Sequence, residues 1–342
     1  MGILDWFKNR PAQFDPDRVS DEMLRGAVDK AITLTNPRLK LLPGCHKRLM
    51  PAVATTIEFL RALVHDLPAA RPLSSAVWSS DPTLRAFFVA ASDIPGLLGR
   101  ADNLRTLFDK FPELDEACLV LGMAFMERQV FGMVVHGGVV QRDVAQTNVS
   151  FSDHGARICG SDESRLRRVA AVEAFEYLLG QALAEIAEDR LERQELQGSR
   201  SLIRARLRLL QQQGPGLGSM FGGPPARPSE QARLNAELLE NERQLAALGG
   251  SESVLEAELD CLRTVLGNPQ RNLRVEPRRL RLSSMNVVVD DTSSDAAADV
   301  DFSLAELGGS PPMRRAFVLA RVARGEMPPP QQINLDDAGR YL

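Results

Sequence analysis

Leu238-Leu239-Glu240-Asn241-Glu242-Arg243-Gln244-Leu245-Ala246-Ala247-Leu248-Gly249-Gly250-Ser251-Glu252-Ser253-Val254-Leu255-Glu256-Ala257-Glu258-Leu259-Asp260-Cys261-Leu262 is the stretch on which the fold turns. Leu238, Leu245, Leu259 and Leu266 lie on one seven-residue ladder, with Glu252 on its missing rung. Leu248, Leu255 and Leu262 lie on the ladder three residues further on, with Asn241 on its rung. Two apolar ladders offset by three make the a/d seam of a coiled coil. Arg233, Glu237, Glu240, Glu242, Arg243, Glu256 and Glu258 cover the other faces.

Upstream, Val172, Phe175, Leu179, Ala182 and Ile186 alternate at spacings of three and four. The register slips at Asp189 and resumes with Leu196, Ile203, Leu207 and Leu210. These two arms, within 161–268, would reach about 80 and 60 Å at about 1.5 Å per residue. The link 214–228 opens Gly214-Pro215-Gly216-Leu217-Gly218-Ser219-Met220-Phe221-Gly222-Gly223-Pro224-Pro225 and cannot continue a helix. A short link between two striped helices implies an antiparallel hairpin. Met220 and Phe221 then sit at its tip, either tucked onto the arms or offered to a partner. Gly198-Ser199 and Gly249-Gly250-Ser251 are weak points that lie near one another once the arms fold back, so an elbow at Gly198 and Gly249/Gly250 is set against simple fraying.

Residues 1–19 form an N-terminal segment, and residues 20–128 read as a helical domain. Ser20, Asp21 and Glu22 open a first helix that Asn36-Pro37 ends. Leu49, Val53, Ile57, Leu60 and Val64 stripe a second from about Cys45 to His65, with Pro51 in its first turn. Asp81-Pro82 caps a third. Pro112 would open another with Leu114, Cys118, Leu121 and Phe125 inward. Phe87, Phe88, Phe108, Phe111 and Phe125 read as core.

Strand patterns occupy 129–160 and 269–325, before and after the hairpin. Val130 to His136 and Val139-Val140 flank a Gly137-Gly138 turn, and Ala145, Thr147, Val149 and Phe151 alternate with polar residues. Asp153-His154-Gly155 reads as a turn. Asn272–Glu276 and Arg279–Leu282 read as a pair around Pro277. Met285–Val289 and Ala316–Ala323 are further strands, and 326–342 a tail. Few strands on either side are more stable as one sheet. The expected fold is therefore α+β, mainly α: a helical lobe and a small antiparallel β-sheet or barrel, with a long antiparallel coiled-coil hairpin inserted. This plan is similar to that of bacterial periplasmic adaptor proteins. The export signal and inner-membrane helix of that family have no counterpart here, so its function is not carried over.

The charge of −4 offers no global field for nucleic acid. Only Lys8, Lys30, Lys40, Lys47 and Lys110 are lysine among 41 basic residues, which reads as a GC-rich bacterial coding bias. Cys45, Cys118, Cys159 and Cys261 are scattered, as expected of reduced thiols in a cytoplasmic protein. No run of about 20 apolar residues is present, so no integral membrane helix is expected. Ile3, Leu4, Trp6 and Phe7 form an apolar opening that could dock on the protein itself, a partner or a lipid surface.

Chemistry is sparse. His136, His154 and Cys159 lie in the strand region without metal-ligand spacing. Ser150-Phe151-Ser152-Asp153-His154 puts triad residue types side by side, whereas triads assemble across a fold. Asp290, Asp291, Asp295, Asp299 and Asp301 lack the EF-hand pattern and read as a loop facing Arg271, Arg274, Arg278, Arg279 and Arg281. Gly214-x-Gly216-x-Gly218 lies in a loop, the wrong context for phosphate. Arg200, Arg204, Arg206 and Arg208 face an acidic arm, so ion pairing is expected before nucleic acid. No catalytic, cofactor-binding or metal residues are assigned.

The reading that follows is a non-enzymatic scaffold or adaptor acting through the hairpin, on a protein partner or as a homo-oligomer. Its contact residues would be Met220, Phe221, Leu238, Leu245, Leu248, Leu255, Leu259 and Leu262. The alternatives are a peripheral membrane protein using Ile3, Leu4, Trp6 and Phe7, and an enzyme or ligand-binding domain with a pocket near His136, Asp153 and His154.

Overall fold

A computed structural model describes residues 21–136, 139–212, 228–247, 251–289, 296–309 and 312–329. The fold is α+β and mainly helical, with an antiparallel sheet and one long helix. It divides into two compact units, Met1–Ile57 with Tyr177–Pro269, and Glu58–Glu176 with Gln270–Leu342.

The first unit is helical. Helix α1 (Asp21–Thr35) carries Asp21 and Glu22 in its first turn, where the helix dipole favours them, and buries Val28, Ala31 and Ile32. Asn36, held extended ahead of Pro37, stops it and starts a 3-10 turn (Pro37–Leu41) by accepting from the Arg38 amide. Helix α2 (Cys45–His65) has the expected limits, but Pro51 lies inside it rather than in the first turn. Further along the chain comes α6 (Glu163–Gln212), an unbroken helix of 50 residues. Gly198 does not interrupt it, which corrects the elbow reading for this arm. Helices α7 (Pro228–Ala247) and α8 (Ser251–Gly267) form the returning arm. Gly249, Gly250 and Leu248 lie outside the described residues.

The arms are antiparallel. Cys261 lies beside Ala182 and Glu185, Glu258 pairs with Arg190, Asn241 meets Leu196, and Glu242 pairs with Arg204. Residues 258–261 thus meet 182–190, and 241–242 meet 196–204, so the arms run in opposite directions. At the base, Arg48 pairs with Glu256 at 2.7 Å, Asn36 donates to Glu258, and Thr56 donates to the Leu266 carbonyl.

The second unit is built on strands, with α3 (Pro82–Phe87), α4 (Asp93–Gly99) and α5 (Asp102–Lys110) beside them. Asp81 caps α3 by accepting from Thr83 and Leu84, as its Asp-Pro pair predicts. Strands β2 (Glu116–His136) and β3 (Val139–Gly160) make a long ribbon. Strand β6 (Met313–Ala323) pairs with β2 as far as Ala124, β5 (Ala298–Leu307) pairs with β6, and β4 (Leu273–Leu282) pairs along all of β5. A short β1 (Arg71–Pro72) runs parallel on β6. The order is β3-β2-β6-β5-β4. The following chain closes it: the Val289 amide donates to Arg281, Val288 to Thr147, and Val149 to Asn286. Segment 286–289 is thus bonded to β4 on one side and β3 on the other, completing a small barrel. Its centre is aromatic, with Phe151 at 4.7 Å from Phe87 and 5.4 Å from Phe302, and Phe125 at 5.3 Å from Phe302.

Several expectations are corrected here. Leu114 to Phe125 is not a helix, since β2 starts at Glu116. A continuous apolar run buried on both faces fits either element, and pairing on both edges decides for the strand. Asp153-His154 is not a turn but an irregularity within β3, with Asp153 at positive φ opposite the register shift at Gly122/Ala124. Arg279–Leu282 does not fold back on Asn272–Glu276, for Leu273–Leu282 is one strand on β5. Asp299 and Asp301 belong to that β5 and not to a loop, and Asp301 pairs with Arg279 at 2.6 Å. Phe111 is partly exposed rather than core.

Candidate functional site

The hairpin seam divides the sequence-derived contact residues. Leu259 and Leu262 are fully buried, together with Val265 and Leu266, and are occupied within the chain. Leu238, Leu245 and Leu255 are half-buried along the same seam. Leu238 joins Ile203, Leu207, Leu210 and Leu234 in a small core of its own toward the link. Leu248, Met220 and Phe221 lie outside the described residues, as do Ile3, Leu4, Trp6 and Phe7.

Two polar residues are set into the hairpin. Asn241 is buried, its side-chain amide donates to the Leu196 carbonyl at 3.1 Å, and its Oδ1 has no partner among the described residues. A single amide in an apolar seam costs stability and fixes alignment. Glu258 is also buried. Burial raises its pKa, but hydrogen bonds from Arg190 and Asn36 outweigh that, and the carboxyl stays below its ordinary range.

The seam explains one face of each helix. The opposite faces carry apolar residues that the sequence reading passed over. On α6, Leu191, Leu202 and Leu209 are 56, 67 and 58 % exposed, and Leu239 on α7 is 70 % exposed. Positions 191, 195, 198, 202, 205 and 209 alternate at four and three, so they form a second stripe on α6. It lies roughly 140° around the helix from Ile203 and Leu207 at about 100° per residue. The signal was legible as a second heptad, but the stronger buried ladder masked it.

The residues considered for chemistry have structural partners. His154 stacks on Phe88 at 4.7 Å and donates from Nε2 to the Phe87 carbonyl at 2.9 Å. Asp153 pairs with Arg315 at 2.7 Å, and that guanidinium holds its carboxyl below the usual range. The two side chains therefore serve different neighbours. Burial pushes the Cys159 thiol up to about 12 and the Cys118 thiol up to about 11, which keeps both protonated. Among the described residues, no group of three or more His, Cys, Asp and Glu could hold a metal. On the β2–β3 ribbon, beyond the end of β6, Phe131 and Met133 are exposed.

By fold and surface, the chain defines a helical-hairpin protein whose hairpin falls between strands of a small barrel in chain order. No family model, curated protein or solved structure matches it. No helix among the described residues is long and apolar enough to cross a membrane.

Proposed function

We propose that this protein is a non-enzymatic scaffold or adaptor of the cytoplasm that acts through its antiparallel helical hairpin. The observation that supports this is the row of exposed leucines on helix faces whose opposite sides already hold the hairpin closed. A helix needs one apolar stripe to fold against its neighbour, so a second stripe along the same rod is surplus to folding and suited to a partner helix.

The test is cross-linking mass spectrometry with a carboxylate-reactive dihydrazide on the full-length chain, alone and with affinity-captured partners. Cross-links, between copies or to another protein, are expected to concentrate on residues 188–246. The changes Leu202→Glu with Leu239→Glu are expected to remove them while the circular dichroism spectrum stays helical. Intermolecular cross-links confined to the strand unit, unaffected by those changes, would defeat the proposal.

A further inference from the structure

Building on that reading, we infer that the outer stripe of α6 is a self-association surface, and that its occupant is α6 of a second copy running antiparallel. In heptad terms Glu188, Glu195, Leu202 and Leu209 occupy one seam position, and Ala184, Leu191, Gly198 and Ala205 the other. All of those from Leu191 to Leu209 are exposed. Glu192 and Arg206 occupy the same flanking position two heptads apart. Among the described residues neither enters an ion pair.

Helix α6 is electrically two-ended along this face. Glu188, Glu192 and Glu195 precede Gly198, while Arg206 and Arg208 follow it. A parallel pairing would set like charges together. An antiparallel pairing about residue 200 sets each acidic half against the other copy's basic half, and brings Glu192 within about one turn of Arg206 of the second copy, twice over. The same register fits by size. Leu202 meets Gly198 of the second copy, Leu191 meets Leu209, and Glu195 meets Ala205. Among the described residues nothing lies within 4 Å of where a Gly198 side chain would begin, so the space for the opposing Leu202 is open. A glycine in mid-helix is costly on its own; here it lets a leucine approach. The contact is isologous, as a two-fold dimer requires.

Residues 188–209 span about 33 Å, and a helix-on-helix contact of that length covers about 300–400 Å² per copy. That is below the roughly 800 Å² per partner of standard stable complexes, so the association is reversible and concentration-dependent.

Sedimentation velocity of the full-length chain from about 1 to 100 μM tests this, a range chosen for a contact at the weak end of the size scale. The wild-type coefficient is expected to rise from monomer toward dimer. Leu202→Glu, at an exposed position, is expected to remain helical and to weaken association at least tenfold. Glu192→Arg and Arg206→Glu, each alone, are expected to weaken it severalfold. Mixing those two single variants in equal amounts should restore dimerisation, because every flanking pair is then again opposite in sign. A wild-type chain that stays monomeric throughout, or a dimer indifferent to Leu202→Glu and to the charge exchange, overturns the inference. Loss of the dimer with Leu239→Glu but not with Leu202→Glu overturns this face while leaving the hairpin as the working surface. Indifference to both overturns the hairpin reading as well.

Discussion

Arg167 donates to the carbonyls of Val64, Leu67 and Pro68, and to the carboxylate of Glu163, which also accepts from the Ala70 amide. One fork-shaped group thus satisfies the carbonyls at the C-terminal end of α2, where a cation is favoured by the dipole. Lysine has the charge without the fork. Arg167→Lys is expected to lose about 1–2 kcal/mol in urea unfolding, since it leaves part-buried carbonyls without their donors. His154 makes the opposite kind of statement. Burial, assisted by Arg100, lowers its pKa below 6.5 against the Phe87 carbonyl, Asp93 and Asp153, which raise it. The unfolded chain therefore takes up this proton more readily than the folded one. The contribution to stability is complete above about pH 6.5 and is lost as pH falls from there through the depressed folded value. His154→Gln should accordingly flatten the decline in melting temperature from about pH 7.5 to 5.5, measured against wild type. An unchanged pH slope would mean that the ring is solvated in the folded chain.

At the scale of elements, legibility followed periodicity. The hairpin, α2 and the Asp81 cap could be read because spacing and capping chemistry are local. Strand β2 could not, because Cys118 to Phe125 is apolar at nearly every position and only its two neighbours, distant in sequence, make it extended. Strand β5 could have been found. Val300, Phe302 and Leu304 alternate inward against Asp299, Asp301 and Ala305, but the aspartates drew it into an acidic loop reading. Gly198 reads as a weak point because glycine is a poor helix former. The continuous hydrogen-bonded ladder on either side, with Ile203 and Leu207 held in the seam, overrides that. Gly198→Ala is expected to raise thermal stability by about 0.5–1 kcal/mol, detectable by calorimetry at low protein concentration. A loss instead would reveal a non-helical backbone there.

For the molecule as a whole, the chain order is informative. Helices α6 to α8 fall between β3 and β4 in sequence, yet β2 and β6, one from each side, are neighbours in the sheet. Patterning predicted this joining of the two strand sets, though not the closure through 286–289, which depends on a few backbone hydrogen bonds. The outward leucines were equally hidden, since they become informative only once the seam is known. Helices α2 and α6 each give residues to both compact units. Phe302→Ala, a change in the barrel centre, is expected to cost about 3–5 kcal/mol. It should lower the midpoint of the helical signal at 222 nm together with that of Trp78 fluorescence. Separate midpoints would show that the units melt independently.

The seam around Ile203, Leu207, Leu234 and Leu238 repeats every seven residues and has its own hydrophobic centre. Such a rod can gain or lose whole repeats, provided both strands of it change together, and the base held by Asn36, Arg48 and Thr56 would not register the difference. Related chains should therefore vary in reach by paired multiples of seven residues, like a ruler cut only at its marks, while the barrel keeps its length.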